Sequence, residues 1–130
     1  MSAEADRLDQ EAQQCDRDAQ QLDDTAAFVQ GTGIRMLDET TRLRQQFRDA
    51  VGQTWIGPQA TRFDGYSEAR AGRMRANEGT LHAVAERMRE AARRVRAEAS
   101  EKRDRAKQLR REEEQRNREA AARRGGGGHW

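Results

Sequence analysis

An all-α fold, an antiparallel helical hairpin, is what this sequence predicts, and three observations carry the prediction. Apolar or small residues recur at seven-residue spacing through two long stretches. One strong break, Trp55-Ile56-Gly57-Pro58, separates those stretches. The composition, 37% charged against 34% hydrophobic and 5% aromatic over 130 residues, leaves material only for a thin core, of the kind that helices burying one stripe each would form.

The first arm carries two interleaved series, Leu8, Cys15, Leu22, Val29, Met36, Leu43, Ala50 and Ala5, Ala12, Ala19, Ala26, Gly33, Thr40, Phe47. Alternating steps of three and four put both on one helix face. Before Leu22 the second series is all alanine among Asp, Gln and Glu, so that segment has helix propensity but little area to bury, and fraying is the expectation there. Gly31 and Gly33 interrupt the arm at a cost of roughly 1 kcal/mol each relative to alanine. The heptad continues through Gly33 to Met36, which favours close approach of a facing helix over a true break. Phe28, Ile34 and Leu37 are expected to lie beside the seam and widen it.

At the break, Gly52 is suited to the left-handed conformation that ends a helix, Gly57 tolerates backbone geometry closed to other residues, and Pro58 suits the first position of a new helix, where no N–H bond is needed. Trp55 inside such a turn is expected to pack its ring on a helix or on a partner.

The second arm resumes the seam at Ala60, Ser67, Met74, Leu81, Met88 and Val95, flanked by Phe63, Ala71, Val84, Ala85, Ala91, Ala92 and Ala99. Gly65, Gly72 and Gly79 repeat off this seam, as marks of either close helix contact or a dynamic region. From Arg93 the seam fades, and residues 99–124 read as a solvated helix held by Glu and Arg pairs three and four apart, with 125–130 as a tail. The domain reading is thus a hairpin over 1–98 with its turn at 52–58, a charged helical extension and a flexible end.

The net charge of +2 hides an asymmetry of −5 over residues 1–50 against +7 over 51–130. Antiparallel packing of the two arms is favoured by it, although exposed pairs contribute only about 0.2 to 1 kcal/mol each and weaken with salt. No apolar run approaches the roughly 20 residues of a membrane span, and the start of the chain lacks the basic and apolar regions of a signal peptide, so ordinary export rules keep the chain in the cytoplasm.

Chemistry finds little support. Cys15 is the only cysteine, which excludes an internal disulfide and a four-cysteine metal site, and it reads as a half-buried structural residue. His82 and Glu86 stand four apart, but the only other histidine is His129, too few ligands for a metal. With no phosphate loop and no pocket-forming pattern, the expectation is a non-enzyme without cofactor, metal or small-molecule substrate. The cluster Arg87, Arg89, Arg93, Arg94, Arg96 is interrupted by glutamates, so a solvated face meeting the acidic first arm is preferred over a nucleic-acid surface.

With the hairpin established, Trp55-Ile56-Gly57 near the middle of an antiparallel helix pair resembles the WXG family of small type VII (ESX) secretion substrates. The resemblance covers about residues 17–97. It includes Leu81, Val84 and Met88 at seam distances after the tryptophan, and Met74, Glu78, Leu81 and Ala85 in the family's hydrophobic and acidic spacing. It implies a hairpin that pairs with another hairpin into a four-helix bundle exported in folded form. It also implies a recognition role for Trp55 and Gly57, and a dimer interface formed by Leu22, Val29, Met36, Leu43, Phe47, Phe63, Met74, Leu81, Met88 and Val95. The implied partners are a like chain, another small WXG-type protein or the helical targeting domain of a larger effector, with a secretion ATPase as a further partner. One departure stands out. The family's tyrosine-x-x-x-acid signal is missing near Val95 and Ala99, and Tyr66 is followed four residues on by Arg70. Export then falls to a partner carrying the signal, or the chain stays in the cytoplasm. The competing reading is a cytoplasmic coiled-coil scaffold or nucleic-acid-associated protein using the basic second helix.

Overall fold

The computed structural model describes residues 2–53 and 57–126 and consists of two helices, α1 (Ala3–Gln53) and α2 (Pro58–Gly126), packed against each other as a hairpin. No strand occurs among the described residues. The all-α hairpin predicted from the heptads is therefore what the chain forms. Trp55 and Ile56, and with them the turn assigned to the Trp-x-Gly motif, lie outside the described residues, as do His129 and Trp130.

Local chemistry explains where the helices start. Ser2 caps α1: its Oγ accepts from the Ala5 N–H at 3.1 Å and its carbonyl from the Asp6 N–H at 3.1 Å. Glu4 and Asp6 in the first turn complement the helix dipole, as Arg123 and Arg124 do in the last turn of α2. At the start of α2, Gly57 takes a φ of +125°, open to glycine but strained for other residues. Its carbonyl accepts from the Thr61 N–H at 3.2 Å, and Pro58 occupies the first helical position. Gly52 corrects the expectation made for it: α1 runs on to Gln53, so Gly52 lies inside the last turn, and the positive φ belongs to Gly57.

Two compact units divide the chain, one of Met1–Gln21 with Ala91–Trp130 and the other of Leu22–Glu90. In the first, Ala5, Ala12 and Ala19 of α1 and Ala92, Ala99 and Ala106 of α2 are buried without residual exposure. A methyl group is small enough to vanish between two close backbones, so a series poor in apolar area still makes a seam. The segment before Leu22, read as having little area to bury, is helical from Ala3 and buries its alanines wholly, because alanine lets helices approach closely. The expected fading of the seam after Arg93 is corrected in the same way, since burial continues to Ala106.

In the second unit the seam is formed by Ala26, Gly33, Ala71 and Ala85, with Ala60 near the start of α2. α1 passes through Gly31-Thr32-Gly33 without interruption. A Cβ on Gly33 would stand 3.1 Å from Leu81 Cδ1 and 3.6 Å from Glu78 Cα, so this glycine marks a close approach of α2, whereas Gly31 meets only the Arg35 side chain. Gly65 and Gly79 face open space and Gly72 meets only Arg75, so within the hairpin they are not points of helix contact.

Candidate interaction surface

Each helix presents its seam with two edges, because a residue three places on falls about 60° to one side of a seam position and a residue four places on about 40° to the other. The two edges differ in character, and the difference varies between the units.

In the first unit both edges are charged. On the edge four places on, Arg103 Nη2 donates to Asp16 Oδ2, and Arg110 reaches Asp9 at 2.6 Å and Asp6 at 2.9 Å. On the edge three places on, Lys102 Nζ meets Glu11 at 3.1 Å and Glu98 at 3.6 Å, beside the half-buried Cys15. The hydrogen bonds that these cations donate to Glu11, Asp16 and Asp6 raise the pKa of Lys102, Arg103 and Arg110 respectively above their ordinary values, against partial desolvation that lowers them. The charged stretch from residue 99 is thus bound to α1 as far as Arg110. Contacts within α2 run from Gln108 to Glu112, Arg118 to Glu114 and Gln115 to Glu119.

In the second unit only one edge is polar. Arg89 Nη2 donates to Gln30 Oε1 at 2.6 Å, Gln30 Nε2 lies 3.0 Å from His82 Nδ1, and Arg89 also binds Glu86 at 2.7 Å. His82 and Glu86, the pair weighed as metal ligands, are held in this network, and no group of three or more His, Cys, Asp or Glu is placed to hold a metal among the described residues. The series three places on is uncharged at the other edge: Leu22, Val29, Met36 and Leu43 on α1, and Met74, Leu81 and Met88 with Ser67 on α2.

Seven of the residues expected at a partner interface fall on that apolar edge. Leu22, Val29, Met74, Leu81 and Met88 are half-buried, while Met36 and Leu43 are exposed. Val95, also half-buried, belongs to the first unit. Phe47 and Phe63 meet across the helices with ring centroids 4.4 Å apart and planes inclined by 44°. They line a groove of about 600 Å³ together with Leu43, Tyr66, Arg44 and Arg70. Leu43, Phe63 and Tyr66 are 57%, 49% and 73% exposed. Phe28 and Ile34 do not widen the seam as expected; both are exposed, Phe28 the more so. They stand two and one places beyond the seam residues Ala26 and Gly33, about 200° and 100° around the helix from the seam.

Among the described residues, the exposed large apolar side chains, from Phe28 to Tyr66, belong to the second unit. Of these, Leu43, Phe63 and Tyr66 come together at the groove, and large apolar groups gathered on one part of a surface mark contact with another macromolecule more often than they occur by chance. Tyr66, Arg44 and Arg70 escaped the sequence reading as surface residues because none sits on an apolar heptad. The signal that could have found the arginines is the density of basic residues on both sides of the break.

The class of protein is that of an all-α, two-helix hairpin with one apolar edge, and among the described residues no helix is long and apolar enough to cross a membrane. No family model matches the sequence, and neither a curated protein nor a solved structure matches it.

Proposed function

We propose that the chain is a non-enzymatic helical hairpin of the WXG type that works by helix-to-helix pairing. Its apolar edge over residues 22–90 seats a second hairpin, from a like chain, another small WXG-type protein or the helical targeting domain of a larger effector, to give a four-helix bundle. In this reading it is a type VII secretion substrate, or an adaptor for a larger secreted protein, held in the cytoplasm before export. One observation carries the pairing: exposed Met36 and Leu43 share a seven-residue series with half-buried Leu22 and Val29, half-buried Met74, Leu81 and Met88 form the matching series on α2, and none of these is charged, whereas Lys102 stands in the corresponding series of the first unit. The secretion role draws on the Trp55-x-Gly57 resemblance. The nucleic-acid alternative is weakened where the basic arm is already neutralised, at Lys102, Arg103 and Arg110.

Light scattering after size exclusion, on the chain alone and co-expressed with small helical proteins from neighbouring genes, tests the pairing. A dimer mass is expected, and Val29→Glu with Met36→Glu should abolish it while helicity by circular dichroism is retained. A stably folded monomer in every combination overturns the proposal. Export is tested by secretion of the wild-type chain against Trp55→Ala with Gly57→Ala, and equal secretion of both counts against a WXG role.

A further inference from the structure

The groove between Phe47 and Phe63 differs from the rest of the apolar edge in its charge. Its only charged lining residues are Arg44 and Arg70. Arg70 is exposed and makes no hydrogen bond or ion pair among the described residues. Arg44 lies beneath, 14% exposed, with Nε and Nη2 buried and lacking a hydrogen-bond partner; its nearest carboxylate, Glu68, is 3.8 Å away. Such a weakly satisfied guanidinium, partly removed from water, projects its charge further than a solvated one. The surroundings have the same sign: residues 40–50 and 57–75 hold seven arginines and three carboxylates.

Resting on the reading of residues 22–90 as a partner surface, we propose that this groove docks an acidic amphipathic helix of a different protein. A bulky apolar side chain of that helix sits against Leu43, Phe47, Phe63 and Tyr66, and a carboxylate one turn away binds Arg70, with the charge of Arg44 behind it. A helix is the fitting occupant because the groove continues an edge built at seven-residue spacing, and the described residues offer no strand edge for an extended peptide. A second copy of this chain fits poorly. Its acidic stretch, residues 4–24, has eight carboxylates against two arginines, yet Asp6, Asp9, Glu11 and Asp16 are already bound by Arg110, Lys102 and Arg103. That stretch also offers no exposed large apolar anchor.

The test uses the full isotope-labelled chain, followed by NMR, with two alanine-based helical peptides as probes. One carries Phe and Glu four residues apart, and the other Phe and Lys. Shifts at Leu43, Phe47, Phe63 and Tyr66 are expected with the Glu peptide, and binding about tenfold weaker with the Lys peptide, the loss of one charge-assisted contact. In Arg70→Glu, whose substitution is at the surface, the preference should reverse with helicity unchanged. The proposal is overturned if neither peptide moves these resonances, if both bind equally, or if Arg70→Glu keeps the original preference. Self-association that Arg70→Glu abolishes, without peptide binding, overturns it in favour of a second copy, and binding of an oligonucleotide at the groove in place of the peptide overturns it in favour of nucleic acid. A chain that pairs in light scattering but ignores the peptides loses the groove assignment alone. A chain that stays monomeric yet prefers the Glu peptide keeps it and loses the pairing.

Discussion

Arg89 donates to Gln30 across the helix pair at 2.6 Å, and this one contact fixes the chemistry of its neighbour. A guanidinium can only donate, so the Gln30 oxygen faces Arg89 and its amide nitrogen faces His82 Nδ1 at 3.0 Å. His82 must then accept at Nδ1 and carry its proton on Nε2. Nitrogen chemical shifts of the imidazole at neutral pH should show that tautomer. Gln30→Ala should lower stability by about 1 kcal/mol in denaturant titration, since it removes both contacts from a partly exposed site.

Gly33 is a second place where one position has a measurable consequence. Gly33→Ala gains about 1 kcal/mol of helix propensity, offset by pushing aside Leu81 Cδ1, which would lie 3.1 Å from the new methyl. That methyl is the far end of a flexible side chain, so the net change in the unfolding midpoint should stay within about 1 kcal/mol. Gly33→Val has no such escape, since Leu81 Cβ and the Glu78 backbone stand close behind. It should destabilise by about 2 kcal/mol.

The alanine seam predicts an inversion of ordinary hydrophobic logic. Ala12→Leu or Ala99→Leu adds apolar area, yet both positions are wholly buried between close helices. Each should lower stability by about 1 to 3 kcal/mol in thermal or chemical unfolding. A stabilising effect would show that the helices stand further apart than the burial implies.

Lys102 and Glu11 give the pH dependence. The hydrogen bond to Glu11 raises the pKa of Lys102 above 10.5. A cation whose folded pKa exceeds its unfolded one adds stability that is full below the unfolded value and is lost as pH climbs through the folded one. The difference in thermal midpoint between wild-type and Glu11→Gln should therefore be full at neutral pH and shrink above pH 10.5. At neutral pH it should also shrink as salt is added, because the pair is exposed.

Much of the apolar edge was legible as spacing. Leu22, Val29, Met36, Leu43, Met74, Leu81 and Met88 could be placed on one edge by counting sevens. Their rank could not. The sequence reading gave the large residues the centre of the seam, and the structure gives it to alanine, because the closest approach of two helices is set by the smallest side chains between them. The polar edge was legible too, in the acidic first arm and in Arg89, Arg103 and Arg110 at multiples of seven, but which acid meets which base was not, because that depends on the register of the two helices. The Phe47 and Phe63 groove was not legible, since the two residues are separated by the break and meet only when the helices pack.

By itself the sequence determined the helices, their antiparallel sense and the position of the break, since periodicity, capping and glycine or proline geometry act within a few residues of where they are written. Only the tertiary structure decided which of two adjacent heptad series is buried, which edge Lys102, Arg103 and Arg110 close, and which edge of residues 22–90 stays apolar and exposed. Those outcomes depend on the distance and register between two helices, and a single helix's sequence states neither.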